Sequence, residues 1–304
     1  MDDEVEKKKR QDAKTCQSIG TPLNFWGANI VVLANLIYIV PYFIVIIIYS
    51  TTSGLRKRAY DGAVISWNIT QIILNSILIG VGWSRLCGVF ISLSVYTFTC
   101  LALIFLTVAS TVWIFIIGID MTLVITRFRW TPATDPGQQR AQEKRKFLVY
   151  SAWGWGVSFV PTAVACIVGL SPLVPITSIF KPKFENPSNG PTNITILVYA
   201  LTLPVLILLI NSGLFCYTTY KIIVMKKSTS IASRTATKAK ESYFMFLKLY
   251  LLMDAPWLTG ALGSIYPELW LFKFIRMTQP ILMLIVILPR GTLANIVRKC
   301  RFSK

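Results

Sequence analysis

The sequence contains no histidine, and this absence excludes several kinds of chemistry. Without an imidazole there is no histidine general acid or base, no Ser–His catalytic triad and no histidine-ligated metal. The sequence also lacks a glycine-rich phosphate-binding loop. We therefore predict that the protein is not an enzyme and that it uses no cofactor and no metal.

Charged residues are scarce. They make up 14% of the 304 residues, against roughly a quarter in an ordinary soluble domain. In their place the chain has seven apolar runs of about 20 residues or more, the length that an α-helix needs to cross about 30 Å of hydrocarbon. The runs are 28–49, 62–83, 87–118, 147–169, 194–224, 243–264 and 269–288. They predict an all-α membrane protein, a bundle of seven transmembrane helices.

The third run has no internal turn residues, and its apolar character continues to Ile125. A second span inside this stretch would require a turn between the two helices. The pattern therefore predicts one long helix that extends beyond the membrane.

Lys and Arg residues, 31 against 13 acids, set the predicted orientation. When alternate gaps are assigned to the cytosol, that side holds 20 basic residues and the other side holds 10. The positive-inside rule then predicts an outer N-terminus and a cytosolic C-terminus. The predicted parts are a short extracellular tail (1–27), a transmembrane domain (28–289) and a basic cytosolic tail (290–304). The basic part of the N-terminal tail, KKKR, argues for the reverse orientation.

The net charge of +18 raises the question of a nucleic-acid partner. The basic residues lie in short loops beside the spans, where anionic lipid headgroups attract them. No recognised nucleic-acid-binding motif is present. We therefore expect membrane lipids as partners and no nucleic acid.

Three spans carry recognisable motifs. The sixth run contains YFMFLKLYLLMDAPWLTG, the fourth contains YSAWGWGVSF, and the seventh contains TQP at Thr278 to Pro280. These motifs resemble the corresponding spans of Methuselah-like receptors, in the secretin/adhesion group of G-protein-coupled receptors. The matching positions are Phe246, Leu247, Lys248, Leu249, Met253, Trp257, Trp153, Gly154, Trp155, Gly156 and Gln279. Asp254 and Pro280 depart from the family pattern, and the resemblance covers about 55–301.

The resemblance implies a plasma-membrane receptor that passes an extracellular signal to a cytosolic heterotrimeric G protein through movement of the sixth helix. The ligand would be a peptide or a small molecule. Basic residues in the inner loops are the expected G-protein-facing set: Arg56, Lys57, Arg58, Lys226, Lys227, Arg234, Lys238 and Lys240. The same loops also fit a lipid-facing role in topology alone. Two other functions stay open, a small-solute transporter or channel-like protein and a signalling-dead receptor remnant.

Family members usually carry a folded extracellular domain, which this sequence does not contain. The expectation is either a fragment or a member that has lost this domain. Family members also usually bond a cysteine at the position of Cys87 to one in the second outer loop, and here that loop has none. Cys87 is then either a free thiol or the partner of Cys16.

Two residues are candidates for covalent modification. Asn193 begins an Asn-Ile-Thr glycosylation sequence close to the fifth span. Cys300 lies in the basic stretch VRKCRFSK beside the last span and is a candidate for palmitoylation.

Polar residues inside spans form the candidate bundle network. Asn68, Gln71 and Asn75 share one helix face, which we expect to point into the bundle, either as a structural network or as a ligand or switch site. Asp254 lies near the midplane of the sixth span, and we expect it to reach Arg276 or Gln279 of the seventh.

Prolines and tryptophans complete the candidate set. Pro256 and Pro280 each remove a backbone donor inside a span and favour a kink. We expect Trp153 and Trp155 to pack between helices, with Gly154 and Gly156 allowing close approach. Trp257, near the centre of the sixth span, is included in this packing set.

Overall fold

A computed structural model describes residues 30–51, 58–86, 92–125, 136–175, 178, 180–182 and 194–228. This part of the chain forms five helices and no strand. In chain order they are α1 (Ile30–Thr51), α2 (Ala59–Leu86), α3 (Leu93–Ile125), α4 (Pro136–Leu170) and α5 (Ile194–Ser228). The all-helical part of the predicted fold class is confirmed for these residues.

Four of the helices are long and apolar enough to cross a membrane. Their apolar segments are Ala59–Ser84, Leu93–Leu123, Gly137–Leu170 and Val198–Lys221. A shorter apolar segment, Ile39–Thr51, lies in α1. The sixth and seventh predicted spans lie outside the described residues.

Two helices show how an apolar pattern relates to real helix ends. α3 is continuous over 33 residues, which confirms the prediction of one long helix. α4 begins at Pro136, well before the apolar run that starts at 147. Proline is favoured at the first helical position, and the residues that follow, GQQRAQEKRK, are mostly good helix formers. An apolar run marks only the hydrocarbon-crossing part of a helix, so the expected loop here is partly helical.

The helices divide into two compact units. The first contains Ile69–Ser110 of α2 and α3 and Trp155–Pro204 of α4 and α5. Its interior includes the fully buried Ile104 and Val108. The rings of Phe105 and Trp155 stack there with centroids 5.9 Å apart. Apolar packing between α3 and α4 therefore forms part of the interior of this unit.

The second unit contains Pro41–Asn68, Thr111–Gly154 and the part of α5 from Val205 onwards. Trp113 is fully buried and stacks on Phe147 of α4, with centroids 6.5 Å apart. A Cβ atom at Gly154 would lie 2.7 Å from Cε2 of Trp113, closer than real contacts allow. The absence of a side chain at Gly154 therefore lets α3 and α4 approach, and the candidate site lies in this unit.

Candidate functional site

Asp120 is the only charged residue in α3. It interrupts the apolar sequence WIFIIGIDMTLVI and is only 5% exposed. A buried carboxylate without partners loses its hydration and is costly, so it must be paired or hydrogen-bonded. The residues around Asp120 therefore form the candidate functional site.

Among the described residues, both partners of Asp120 come from α4. Lys146 forms an ion pair with Oδ1 of Asp120, and the hydroxyl of Tyr150 donates a hydrogen bond of 2.7 Å to the same oxygen. Lys146 and Tyr150 are four residues apart, so they lie on the same side of the helix. The Lys146 ammonium also lies 5.5 Å from the centroid of the Tyr150 ring. We call Asp120, Lys146 and Tyr150 the acid–lysine–tyrosine cluster.

The same side of α4 also contacts the beginning of α2. The backbone N–H of Ala59 donates a 2.7 Å hydrogen bond to Oε2 of Glu143. Asp61 accepts a second bond, 3.1 Å long, from the backbone N–H of Arg58. The first N–H groups of a helix have no partner within it, and negative charge is favourable at that end. Glu143 thus joins α4 to α2 one turn before Lys146 joins it to α3.

The helix α5 reaches α3 on either side of Asp120. Thr218 donates a hydrogen bond of 3.2 Å to the hydroxyl oxygen of Thr122. Oδ1 of the buried Asn211 lies so close to Gly118 that a Cβ there would be 2.8 Å away. Two residues before and after Asp120, α3 is therefore closely packed against a third helix, with a hydrogen bond at Thr122.

This arrangement suits a restraint between helices. The carboxylate and the ammonium compensate each other only while α3 and α4 keep their present positions. If the helices separate, each charge needs a new partner or water, and the separated state is favoured only when these are supplied. Because the Lys146 side chain is 34% exposed, water reaches the cation more easily than the buried acid.

The predicted polar face of α2 is satisfied largely by its own helix. Asn68 is fully buried and donates from Nδ2 to the carbonyl of Val64 at 2.7 Å. Asn75 donates in the same way to the carbonyl of Gln71, also at 2.7 Å. The buried Oδ1 of Asn68 accepts no hydrogen bond from any described residue. A network role for Asn68, Gln71 and Asn75 stays a prediction.

The four residues of the fourth-span motif fall into two groups. Trp155 stacks on Phe105, and Gly154 lies against Trp113. Trp153 is 64% exposed, and a Cβ at Gly156 would meet no atom within 4 Å. A packing role for Trp153 and Gly156 stays a prediction.

Three of the other candidate residues lie in the described part of the chain. Arg58 is exposed, and Lys226 and Lys227 lie in the last turns of α5. The remaining candidates lie outside the described residues: Cys16, Arg56, Lys57, Cys87, Asn193, Arg234, Lys238, Lys240, Asp254, Pro256, Trp257, Arg276, Gln279, Pro280 and Cys300.

Sequence reasoning missed the acid–lysine–tyrosine cluster, although a signal for it exists. An ionisable residue inside a span marks a functional site by default, and this argument singles out Asp254. It applies equally to Asp120, which is isolated in an apolar helix. The partners carry no comparable signal, because Lys146 and Glu143 belong to the basic stretch EKRK, which is typical of a membrane-flanking segment.

Long apolar helices of this kind are typical of a multi-pass membrane protein. No protein-family profile matches the chain. Two curated relatives do: the G-protein coupled receptor Mth2 of Drosophila yakuba, 28% identical over 164 residues, and that of Drosophila simulans, 29% identical over 170 residues. Each match covers 51% of this chain and 29% of the relative. These relatives confirm the resemblance to Methuselah-like receptors.

Proposed function

We propose that the protein is a seven-transmembrane G-protein-coupled receptor of the Methuselah-like type in the plasma membrane. Its N-terminal tail (1–27) is outside, its transmembrane domain covers 28–289, and its basic tail (290–304) is cytosolic. An extracellular peptide or small molecule is the signal, and a heterotrimeric G protein is the cytosolic partner. The receptor names of the two relatives, the four long apolar helices and the distribution of basic residues support this proposal.

The observation that carries the mechanism is the acid–lysine–tyrosine cluster. A receptor of this kind changes between two arrangements of its helices, and a ligand acts by favouring one of them. The ion pair of Asp120 with Lys146 stabilises the arrangement seen here, which we assign to the resting receptor. In the active arrangement the sixth helix moves outward and the inner basic loops contact the G protein.

Asp120→Asn tests this function. The amide keeps the shape of the side chain and can accept the Tyr150 hydrogen bond, but it cannot form the ion pair. Since couplings of this kind are typically about 1–3 kcal/mol, basal G-protein nucleotide exchange should rise about fivefold or more. Tyr150→Phe removes only the hydroxyl and should give a smaller increase. The measurement is nucleotide exchange in reconstituted membranes, normalised to the amount of receptor.

Asp61→Asn is the matched control. Asp61 is a second buried acid in the same unit, but it accepts its hydrogen bond from the backbone N–H of Arg58, at the start of its own helix. Neutralising it should leave basal exchange unchanged. Equal basal exchange in wild type and in both cluster variants at equal receptor level would contradict the restraint. Solute flux without any nucleotide exchange would contradict the receptor and favour a transporter.

A further inference from the structure

The first half of α4 has two chemically different sides. At 3.6 residues per turn, positions 143, 146, 147, 150 and 154 lie on one side of the helix. This is the side that contacts the other helices through Glu143, Lys146, Phe147, Tyr150 and Gly154. The remaining surface of this segment is largely exposed, with Arg140 and Trp153 at its two edges, and it takes no part in the restraint proposed above.

Three basic residues lie on the exposed surface in the first turns of α4. Arg140, Lys144 and Arg145 are all exposed, and within the described part of the chain none of them pairs with an acidic side chain. The nearby acid, Glu143, accepts the N–H of Ala59 at the start of α2. Arg140 and Lys144 are four residues apart and therefore neighbours on the helix surface. Their positive charge is thus concentrated, and no acidic side chain among the described residues pairs with it.

Apolar residues follow these charges directly. Leu148 is 67% exposed, Val149 50% and Trp153 64%. With a rise of 1.5 Å per residue, Leu148 lies about 4.5 Å and Trp153 about 12 Å along the helix from Arg145. The order along the helix is therefore positive charge, then exposed aliphatic side chains, then an exposed indole. An anionic headgroup followed by its acyl chain has the complementary order.

We propose that Arg140, Lys144, Arg145, Leu148, Val149 and Trp153 form a binding surface for one anionic phospholipid. We call it the basic α4 surface. The headgroup contacts the three basic residues, and an acyl chain lies along Leu148 and Val149 towards Trp153. A soluble acidic partner would account for the charges but not for the exposed apolar side chains that follow them in a membrane-crossing helix. The proposal requires membrane insertion but not G-protein coupling.

Tryptophan quenching tests the surface directly. The full chain is placed in lipid nanodiscs that contain phosphatidylserine or phosphatidylcholine with brominated acyl chains, which quench indoles on contact. The signal of Trp153 is the difference between wild type and Trp153→Phe. Basic residues near a membrane surface attract anionic lipid. We therefore expect the serine lipid to quench the Trp153 signal at about a tenfold lower mole fraction than the choline lipid.

Two triple variants separate a site from general charge attraction. The first variant combines Arg140→Gln, Lys144→Gln and Arg145→Gln. It should bring the ratio between the quenching mole fractions of the choline and serine lipids close to one. The control, Arg58→Gln with Lys221→Gln and Lys227→Gln, removes the same number of charges elsewhere and should keep the preference. Soluble glycerophosphoserine should not displace the lipid, because it lacks the acyl chain.

Three results would overturn the proposal. They are equal quenching by the two lipids in wild type, an equal loss of preference in both triple variants, and displacement by the soluble headgroup. The wild-type comparison decides the question even if a triple variant does not fold. Because it does not involve nucleotide exchange, a failure here leaves the receptor proposal unaffected.

Discussion

At the scale of single residues, the central feature is a carboxylate in an apolar helix. The effective cost of removing one ion from water is several kcal/mol even after relaxation. Asp120 is stabilised against this cost by the ammonium of Lys146 and the hydroxyl of Tyr150. Tyr150 lies 30 positions further along the chain. The sequence identifies the residue in need of a partner, but only the packing of α3 against α4 identifies the partner.

Glycines in the fourth-span motif provide a second prediction at this scale. Gly154→Ala should lower the stability of the protein by about 1–3 kcal/mol, the usual cost of overpacking a core. The reason is that the new Cβ would lie 2.7 Å from the fully buried ring of Trp113, which has little room to move. Thermal unfolding of the detergent-solubilised protein, followed by intrinsic fluorescence, measures the change.

Gly156→Ala is the matched control for this prediction. It makes the same chemical change on the same helix, but its Cβ meets no atom within 4 Å. It should be neutral or slightly stabilising, because alanine is the better helix former. An equal loss of stability in the two variants would show that close packing on Trp113 is not the cause.

At the scale of helices, α4 organises the second unit. Its inner side holds α2 through Glu143 and α3 through Lys146 and Tyr150. Its outer side carries the basic α4 surface. Both proposed roles depend on the helical segment before 147, which lacks an apolar run and which hydropathy alone assigns to a loop.

Glu143→Ala tests the link between α4 and α2. It removes the acceptor for the N–H of Ala59 and a negative charge at the beginning of α2. Losses of helix caps typically cost about 1 kcal/mol, so the unfolding midpoint should fall measurably. Gln142→Ala, at an exposed neighbouring position, should leave it unchanged. If the two variants unfold alike, the bond between Glu143 and Ala59 contributes nothing to stability.

At the scale of the whole molecule, the proposed orientation makes a simple prediction. An epitope tag at the N-terminus should be accessible to antibody on intact cells, and a tag at the C-terminus only after permeabilisation. The physical reason is the excess of Lys and Arg in the gaps assigned to the cytosol. The opposite pattern of accessibility would overturn the orientation and, with it, the assignment of the basic loops to the G protein.

The linear pattern establishes the class of the protein. Apolar runs predict α2, α3, α4 and α5 because a span in lipid must satisfy its own backbone, and a helix of about 20 apolar residues does so without any neighbour. The motifs of the fourth and sixth spans are equally local, and the resemblance that they carry is confirmed by two relatives. The exact helix ends are less local, as the early start of α4 shows.

Only the tertiary structure decides which polar groups meet. The acid in α3 pairs with a lysine from a stretch that looks like an ordinary basic flank, and a glutamate from the same stretch caps α2. Nothing in local spacing selects these partners, because the contacts depend on how closely the helices pack at residues such as Gly154. Hydropathy is a property of each segment alone, whereas the pairing of buried charges is a property of the packed helices.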